Sequence, residues 1–229
     1  DAYVGEASGL DSIEGNLKLW LDSSRIDFDG ASIFTDGDKI TKWDDLSGND
    51  FNLTAPDSTA PYITIDGQNS LPIINFDGVN DYLGTTSDLF STNDGLTIFI
   101  VASPEKDNNS MVLDFGFMGD RGYGFNFGTT GGFFYASGAV PSFQSQEAST
   151  NFALISSHTH FSNTVTVYRN GIQGGNQSIS LTQLSAATID EQYKFMVGTQ
   201  SKALQRYFKG NIAEIIILDK HITDDQRII

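Results

Sequence analysis

Two short loops concentrate the oxygen donors that hold a hard cation. "WDDLSGND" (43–50) carries Asp44, Asp45, Asn49 and Asp50. "FDGVNDYL" (76–83) carries Asp77, Asn80 and Asp81, directly after the apolar run "LPIINF". Calcium takes roughly six to eight oxygens from carboxylates, amides and backbone carbonyls. The metal set this suggests is Asp45, Asn49, Asp77 and Asp81. Glu214 joins it because it interrupts the apolar strand "IAEIIIL", and a buried carboxylate needs a partner. That partner is a cation, Arg25, Lys18 or backbone donors; alternatively, Glu214 faces solvent on an alternating strand. Turn chemistry is the competing account of both loops. Asp and Asn bond their own backbone two residues on, and Gly takes positive φ.

Other chemistries find less support. His158 and His160 share one face of a regular strand, as zinc ligands would. No third histidine lies near, and a solvated or hydrogen-bonded pair accounts for them. The chain has no cysteine, which removes thiolate chemistry, disulfides and Cys-ligated zinc. It has no G-x-S-x-G elbow. Rings are abundant in "FGFMGDRGYGFNFGTTGGFFYASG" (115–138). Tyr123, Phe133, Phe134, Tyr135 and Tyr207 are candidates to stack on sugar faces, with Arg121 and Arg206 as polar clamps. The same stretch also reads as paired strands whose rings pack inside, with glycines at bends and bulges.

The elements that must position these residues are strands. "NLKLWLD" (16–22) sets Leu17, Leu19 and Leu21 against Lys18 and Trp20. "LTIFIVAS" (96–103) is apolar on both faces, as a central strand is. "TVTVYRNG" (164–171) ends in Asn-Gly, a hairpin signal. "YKFMVGT" (193–199) and "YFKGNIAEIIILD" (207–219) add two more. Roughly a dozen strands between Gly, Asn, Asp and Ser turns predict an all-β sandwich or jelly roll. Trp20, Phe76, Phe99, Val101, Val167, Tyr168, Met196 and Ile216 are expected in strands, most of them packed between the sheets. Helix is expected in under about 10% of residues. "TDDQRII" (223–229) is the exception, a short C-terminal helix capped by Thr223. Residues 1–15 read as a lead-in, and 16–229 as one domain.

Charge narrows the partners. With Lys+Arg 13 against Asp+Glu 29, the net charge is −16. Nucleic acid and anionic membrane surfaces are disfavoured, because phosphate neutralisation needs clustered cations. The longest apolar runs are too short to span a bilayer.

Six stretches in order resemble the concanavalin A-like, laminin G-like jelly-roll domains of bacterial secreted and surface proteins. They are "LKLWLDSS", "ITKWDDLSGNDFNLTA", "PIINFDGVNDYL", "LTIFIVASP", "VTVYRNG" and "YFKGNIAEIIILDKHITDDQR", together covering 16–229. The resemblance implies a two-sheet antiparallel, concanavalin A-like jelly roll, secretion or surface display, and often a structural calcium ion. It leaves function open, because the fold hosts lectins, adhesion domains and glycosidases. Its glycosidases place carboxylates at alternate positions of one strand, E-x-D-x-(x)-E, and that pattern is absent here.

The sequence therefore reads as a non-catalytic module of a larger secreted or surface protein. Its expected activity is calcium-assisted binding of a glycan or surface glycoprotein. A peptide-binding adhesion domain is the first alternative, and a glycan-cleaving enzyme is the second.

Overall fold

The computed structural model describes residues 14–26, 33–87, 89, 95–105, 110–115, 123–128, 131–136, 142–144, 151–160, 164–178, 193–200, 204, 206–223 and 226. For 123–128, 131–136, 142–144, 159–160 and 175–178 only the backbone is described. The strands are β1 (Leu17–Asp22), β2 (Lys42–Trp43), β3 (Leu53–Thr54), β4 (Tyr62–Gln68), β5 (Leu71–Asp77), β6 (Leu83–Thr85), β7 (Gly95–Pro104) and β8 (Ser110–Asp114). They continue with β9 (Tyr123–Gly128), β10 (Gly131–Ala136), β11 (Ser142–Gln144), β12 (Ala153–His160), β13 (Thr164–Arg169), β14 (Ile172–Ser178), β15 (Phe195–Val197) and β16 (Lys209–Leu218). Every strand residue anticipated above lies in one of them.

Two 8-stranded sheets form, and every pairing is antiparallel. Sheet A runs β14-β13-β12-β7-β16-β5-β4. Sheet B runs β11-β10-β9-β8-β15-β6-β3-β2. In sheet A, β16 lies along β7 on one side. Its other side is shared: Lys209–Ile212 pair with β5, and Glu214–Leu218 pair with β1. A register shift on β16 between Ile212 and Glu214, opposite Ala102 and Val101, marks this changeover. One extra residue there reverses which positions face inward.

Local chemistry accounts for the turns. Asn170 (φ 49) and Gly171 (φ 77) both take positive φ between β13 and β14, as Asn-Gly predicts. Asn69 (φ 52) and Ser70 (φ 60) make the same kind of turn between β4 and β5. The open edge of β4 is covered by its own chain. Ile63 donates to Asp38 O at 2.9 Å, and Ile65 N donates to Asp36 Oδ1 at 3.0 Å. That protection suppresses edge-to-edge association.

The core lies between the sheets. Leu19, Leu21, Phe76, Ile98, Ile100, Val167, Ile215 and Ile217 of sheet A meet Trp43, Leu53, Leu83, Val112, Phe195 and Val197 of sheet B. This corrects one expectation. Phe76 and Val167 do face inward, but Trp20, Phe99, Val101 and Ile216 alternate with the core residues and are half-buried on the outer face of sheet A, while Tyr168 and Met196 are buried but outside the inter-sheet cluster. Both faces of β7 and β16 are apolar, so alternation alone does not say which is inside.

Helix is nearly absent among the described residues. Thr223 caps the C-terminal segment as expected. Thr223 N donates to Gln226 Oε1 at 3.0 Å, and Gln226 N donates to Thr223 Oγ1 at 3.3 Å. This reciprocal pair is a capping box. Of that helix only Gln226 is described, and of the lead-in only Glu14 and Gly15.

Candidate carbohydrate-binding face

Asp45 Oδ1 accepts from Trp20 N (3.0 Å) and Ser47 N (2.9 Å), while Oδ2 accepts from Ser47 Oγ (2.7 Å) and Phe51 N (3.1 Å). Asn49 Nδ2 donates to the carbonyls of Leu17 (2.8 Å) and Lys18 (3.1 Å). The loop is thus stapled to β1. Asp77 Oδ1 accepts from Val79 N (2.7 Å) and Asn80 N (3.2 Å), closing the turn after β5. Asp81 Oδ2 accepts from Asp77 N at 2.9 Å. Asp81 is buried, and burial pushes its carboxyl up to about 6, against the lowering effect of that hydrogen bond. Among the described residues no three His, Cys, Asp or Glu side chains gather as a metal site. The carboxylates of Asp45, Asp77 and Asp81 accept backbone N–H donors, which is turn chemistry.

Glu214 lies elsewhere. The β16 bulge puts it outside sheet A, opposite Asp22 on β1 and Val101 on β7. Its partner is neither Arg25 nor Lys18. Trp20 Nε1 donates to Glu214 Oε1 at 2.9 Å. Lys18 pairs with Asp219 at 3.1 Å, and the Arg25 guanidinium sits 5.6 Å from the Trp20 ring centre. Burial raises the Glu214 pKa, the Trp20 bond opposes the shift, and the Asp22 charge adds to it.

Strand register arranges the outer face of sheet A in rows. One row is Trp20, Ile216, Phe99, Ser156 and Tyr168. The next is Asp22, Glu214, Val101 and Leu154. Beyond the bulge, toward the Lys209 end, runs Tyr62, Asn75, Asn211 and Ser103. Asn75 Nδ2 donates to Asn211 Oδ1 at 2.8 Å, leaving the opposite amide groups of the pair for a ligand. Trp20, Phe99, Val101, Glu214 and Ile216 are half-buried, and Leu154 is exposed. His158 is buried, edge-on to Phe99 with ring centres 5.7 Å apart. Its Nε2 lies 3.1 Å from Ser156 Oγ, so this histidine is engaged within the face. The His160 side chain lies outside the described residues.

A second cluster forms at one rim. Tyr82 and Tyr193 meet edge-on at 5.8 Å. Gly84 makes room, since a Cβ there would lie 2.8 Å from the Tyr193 ring. Burial raises the phenol pKa of Tyr193 and of Tyr207, and Tyr82 adds to both shifts. Arg206 precedes Tyr207, and its carbonyl accepts from Met111 N at 2.8 Å. Of the ring candidates, Tyr207 lies beside Tyr82 in this cluster. Tyr123 lies in β9, while Phe133, Phe134 and Tyr135 lie in β10, paired Phe134 to Phe125 and Tyr135 to Gly124. Their side chains, and Arg121 altogether, lie outside the described residues. Sequence reasoning missed Trp20, Asn75, Asn211 and Tyr193 as partly exposed groups, and the buried Tyr82 as the partner of Tyr193. For Trp20 the signal was present: it shares the Lys18 face of "LKLWLD".

The sequence matches no protein-family model, and no curated protein matches it. Solved structures do. The chain is similar to domain 4 of AbnA, a GH43 extracellular arabinanase from Geobacillus stearothermophilus, in complex with arabinotriose. Identity is 14%, the TM-score 0.60, and the match covers 92% of this chain and 96% of that one. The botulinum neurotoxin serotype D ligand binding domain, in complex with N-acetylneuraminic acid, matches at 11% identity and TM-score 0.67. That match covers 96% of this chain but 51% of the toxin domain. Trypanosoma rangeli sialidase in complex with the inhibitor DANA matches at 12% identity and TM-score 0.53, over 91% of this chain and 31% of the sialidase. At such identities the likeness establishes the fold, a two-sheet jelly-roll sandwich.

Proposed function

We propose that this chain is a non-catalytic carbohydrate-binding module of a larger secreted or surface protein, with the glycan lying on the outer face of sheet A. The observation that carries the reading is the pair of half-buried rings, Trp20 and Phe99, beside hydrogen-bonding groups. Rings offer apolar area to a sugar face, while the Asn75–Asn211 pair and Glu214 offer partners to its hydroxyls. The similarity to domains solved with arabinotriose and with N-acetylneuraminic acid supports it. So does the net charge of −16, which disfavours nucleic acid and anionic membranes. No helix among the described residues is long and apolar enough to cross a membrane.

The test is a glycan array read with and without EDTA, for the wild type and Trp20→Ala, with folding checked by circular dichroism. Oligosaccharide binding is expected, insensitive to EDTA and about tenfold weaker or more in Trp20→Ala, the equivalent of about 1.4 kcal/mol. Absence of binding, or full binding by Trp20→Ala, overturns the reading.

One observation favours a glycan-cleaving enzyme as a second reading. Asp22 and Glu214 are cross-strand neighbours on one face, as a hydrolytic carboxyl pair must be. Asp22 is already engaged, however. Its Oδ1 accepts from Ser24 N (2.8 Å) and Ser24 Oγ (2.7 Å), capping the turn after β1. Release of reducing sugar that disappears in both Asp22→Asn and Glu214→Gln would establish the enzyme instead.

A further inference from the structure

Glu214 carries more information than the face it sits on. Its neighbours along β16, Ala213, Ile215, Ile216 and Ile217, are all apolar. The bulge turns this one acid outward onto a half-buried surface, against Trp20. A carboxylate has about four acceptor sites, and the Trp20 indole fills one of them. The ion pairs seen among the described residues join Lys18 to Asp219, Lys39 to Asp57, Lys42 to Asp44 and Lys209 to Glu105, so none reaches Glu214. Asp22 stands opposite on β1 and adds like charge. A half-buried acid held this way costs stability, and an apolar residue would suit the strand better. A hydrogen-bond donor would satisfy it, and adjacent sugar hydroxyls are such donors. A sugar bearing its own carboxylate meets repulsion from Glu214, from Asp22 and from the acidic molecule as a whole, which outweighs the attraction of the single Arg25 guanidinium 5.6 Å from the Trp20 ring centre.

We infer that Glu214 reads the ligand, and that this face selects uncharged glycans over sialylated or uronic-acid glycans. The inference rests on the carbohydrate-binding reading and adds the ligand class to it. Glu214 accepts hydroxyl protons from a ring seated beside Trp20, and its charge excludes acidic sugars.

The experiment prints neutral, sialylated and uronic-acid glycans on one array. The strongest binder is then titrated calorimetrically, with lactose against sialyllactose and arabinotriose against trigalacturonate as fixed pairs. Wild type, Glu214→Gln and Trp20→Phe are compared. Glu214→Gln keeps an oxygen for Trp20 Nε1, so its tryptophan emission is expected to match the wild type and its melting temperature to equal or exceed it. Uncharged glycans are expected to dominate the array, with acidic counterparts at least tenfold weaker. In Glu214→Gln neutral binding should fall about tenfold, and the discrimination against acidic sugars should narrow. Acidic glycans bound as tightly as neutral ones, with loss in Trp20→Phe, overturn the selectivity while leaving a carbohydrate-binding face. Undiminished neutral binding by Glu214→Gln removes Glu214 from the site. No glycan bound at all overturns the module reading, and the selectivity with it.

Discussion

Asp81 shows how a carboxylate in an acidic loop is used by the fold. It is buried beside the Asp77 turn, where its Oδ2 takes the Asp77 N–H. Its folded pKa of about 6 lies above the ordinary aspartate value of 3.8. The folded state therefore holds the proton more tightly than the unfolded chain. The contribution of the protonated acid is complete below about pH 4 and is lost as pH rises through about 6. Asp81→Asn keeps an oxygen for Asp77 N–H and removes the ionisation. It should be more stable than the wild type at pH 7.5 by about 1–3 kcal/mol, with the difference gone by pH 4. Thermal melts across that range measure it. A lower melting temperature for Asp81→Asn at pH 7.5 in calcium would point back to a cation at this carboxylate.

Strand β16 shows what a single extra residue does. Strict alternation would put Ile212, Glu214 and Ile216 on one face. The bulge breaks that pattern, so Ile215 and Ile217 join Ile212 inside, and Glu214 and Ile216 turn outward. A pair of substitutions separates the two arrangements. Ile215 is fully buried, so Ile215→Ala should destabilise by about 2–5 kcal/mol. Ile216 is half-buried on the outer face, so Ile216→Ala should lose less than about 1.5 kcal/mol. Urea denaturation gives both values. The reverse order would mean that β16 lacks the bulge in solution.

The whole molecule carries a net charge of −16, and its loops gather much of it. Self-repulsion at low salt is the physical consequence, and salt screens it over a Debye length that falls from about 30 Å at 0.01 M to about 8 Å at 0.15 M. Raising sodium chloride across that range should lift the melting temperature by a few degrees. At matched ionic strength, melts in calcium and in EDTA should coincide, because Asp45, Asp77 and Asp81 already accept backbone donors. A calcium-specific rise of several degrees would restore the cation reading.

The sequence alone determined what is local. Alternation and turn residues placed β1, β7, β13 and β16, the Asn170–Gly171 turn and the Thr223 cap, because each depends on residues a few positions apart. The number of short strands and the scarcity of helix pointed to a sandwich or jelly roll, and the family resemblance added its two antiparallel sheets. Facing was a tertiary decision. A strand apolar on both sides has no inside until another sheet covers one of them, and so Phe99 and Ile216 went outward against expectation. The Trp20–Glu214 bond joins residues 194 positions apart, through the pairing of β1 with β16 and the bulge beside it. No period in the sequence encodes such a contact, since register between distant strands is set only when the sheet assembles.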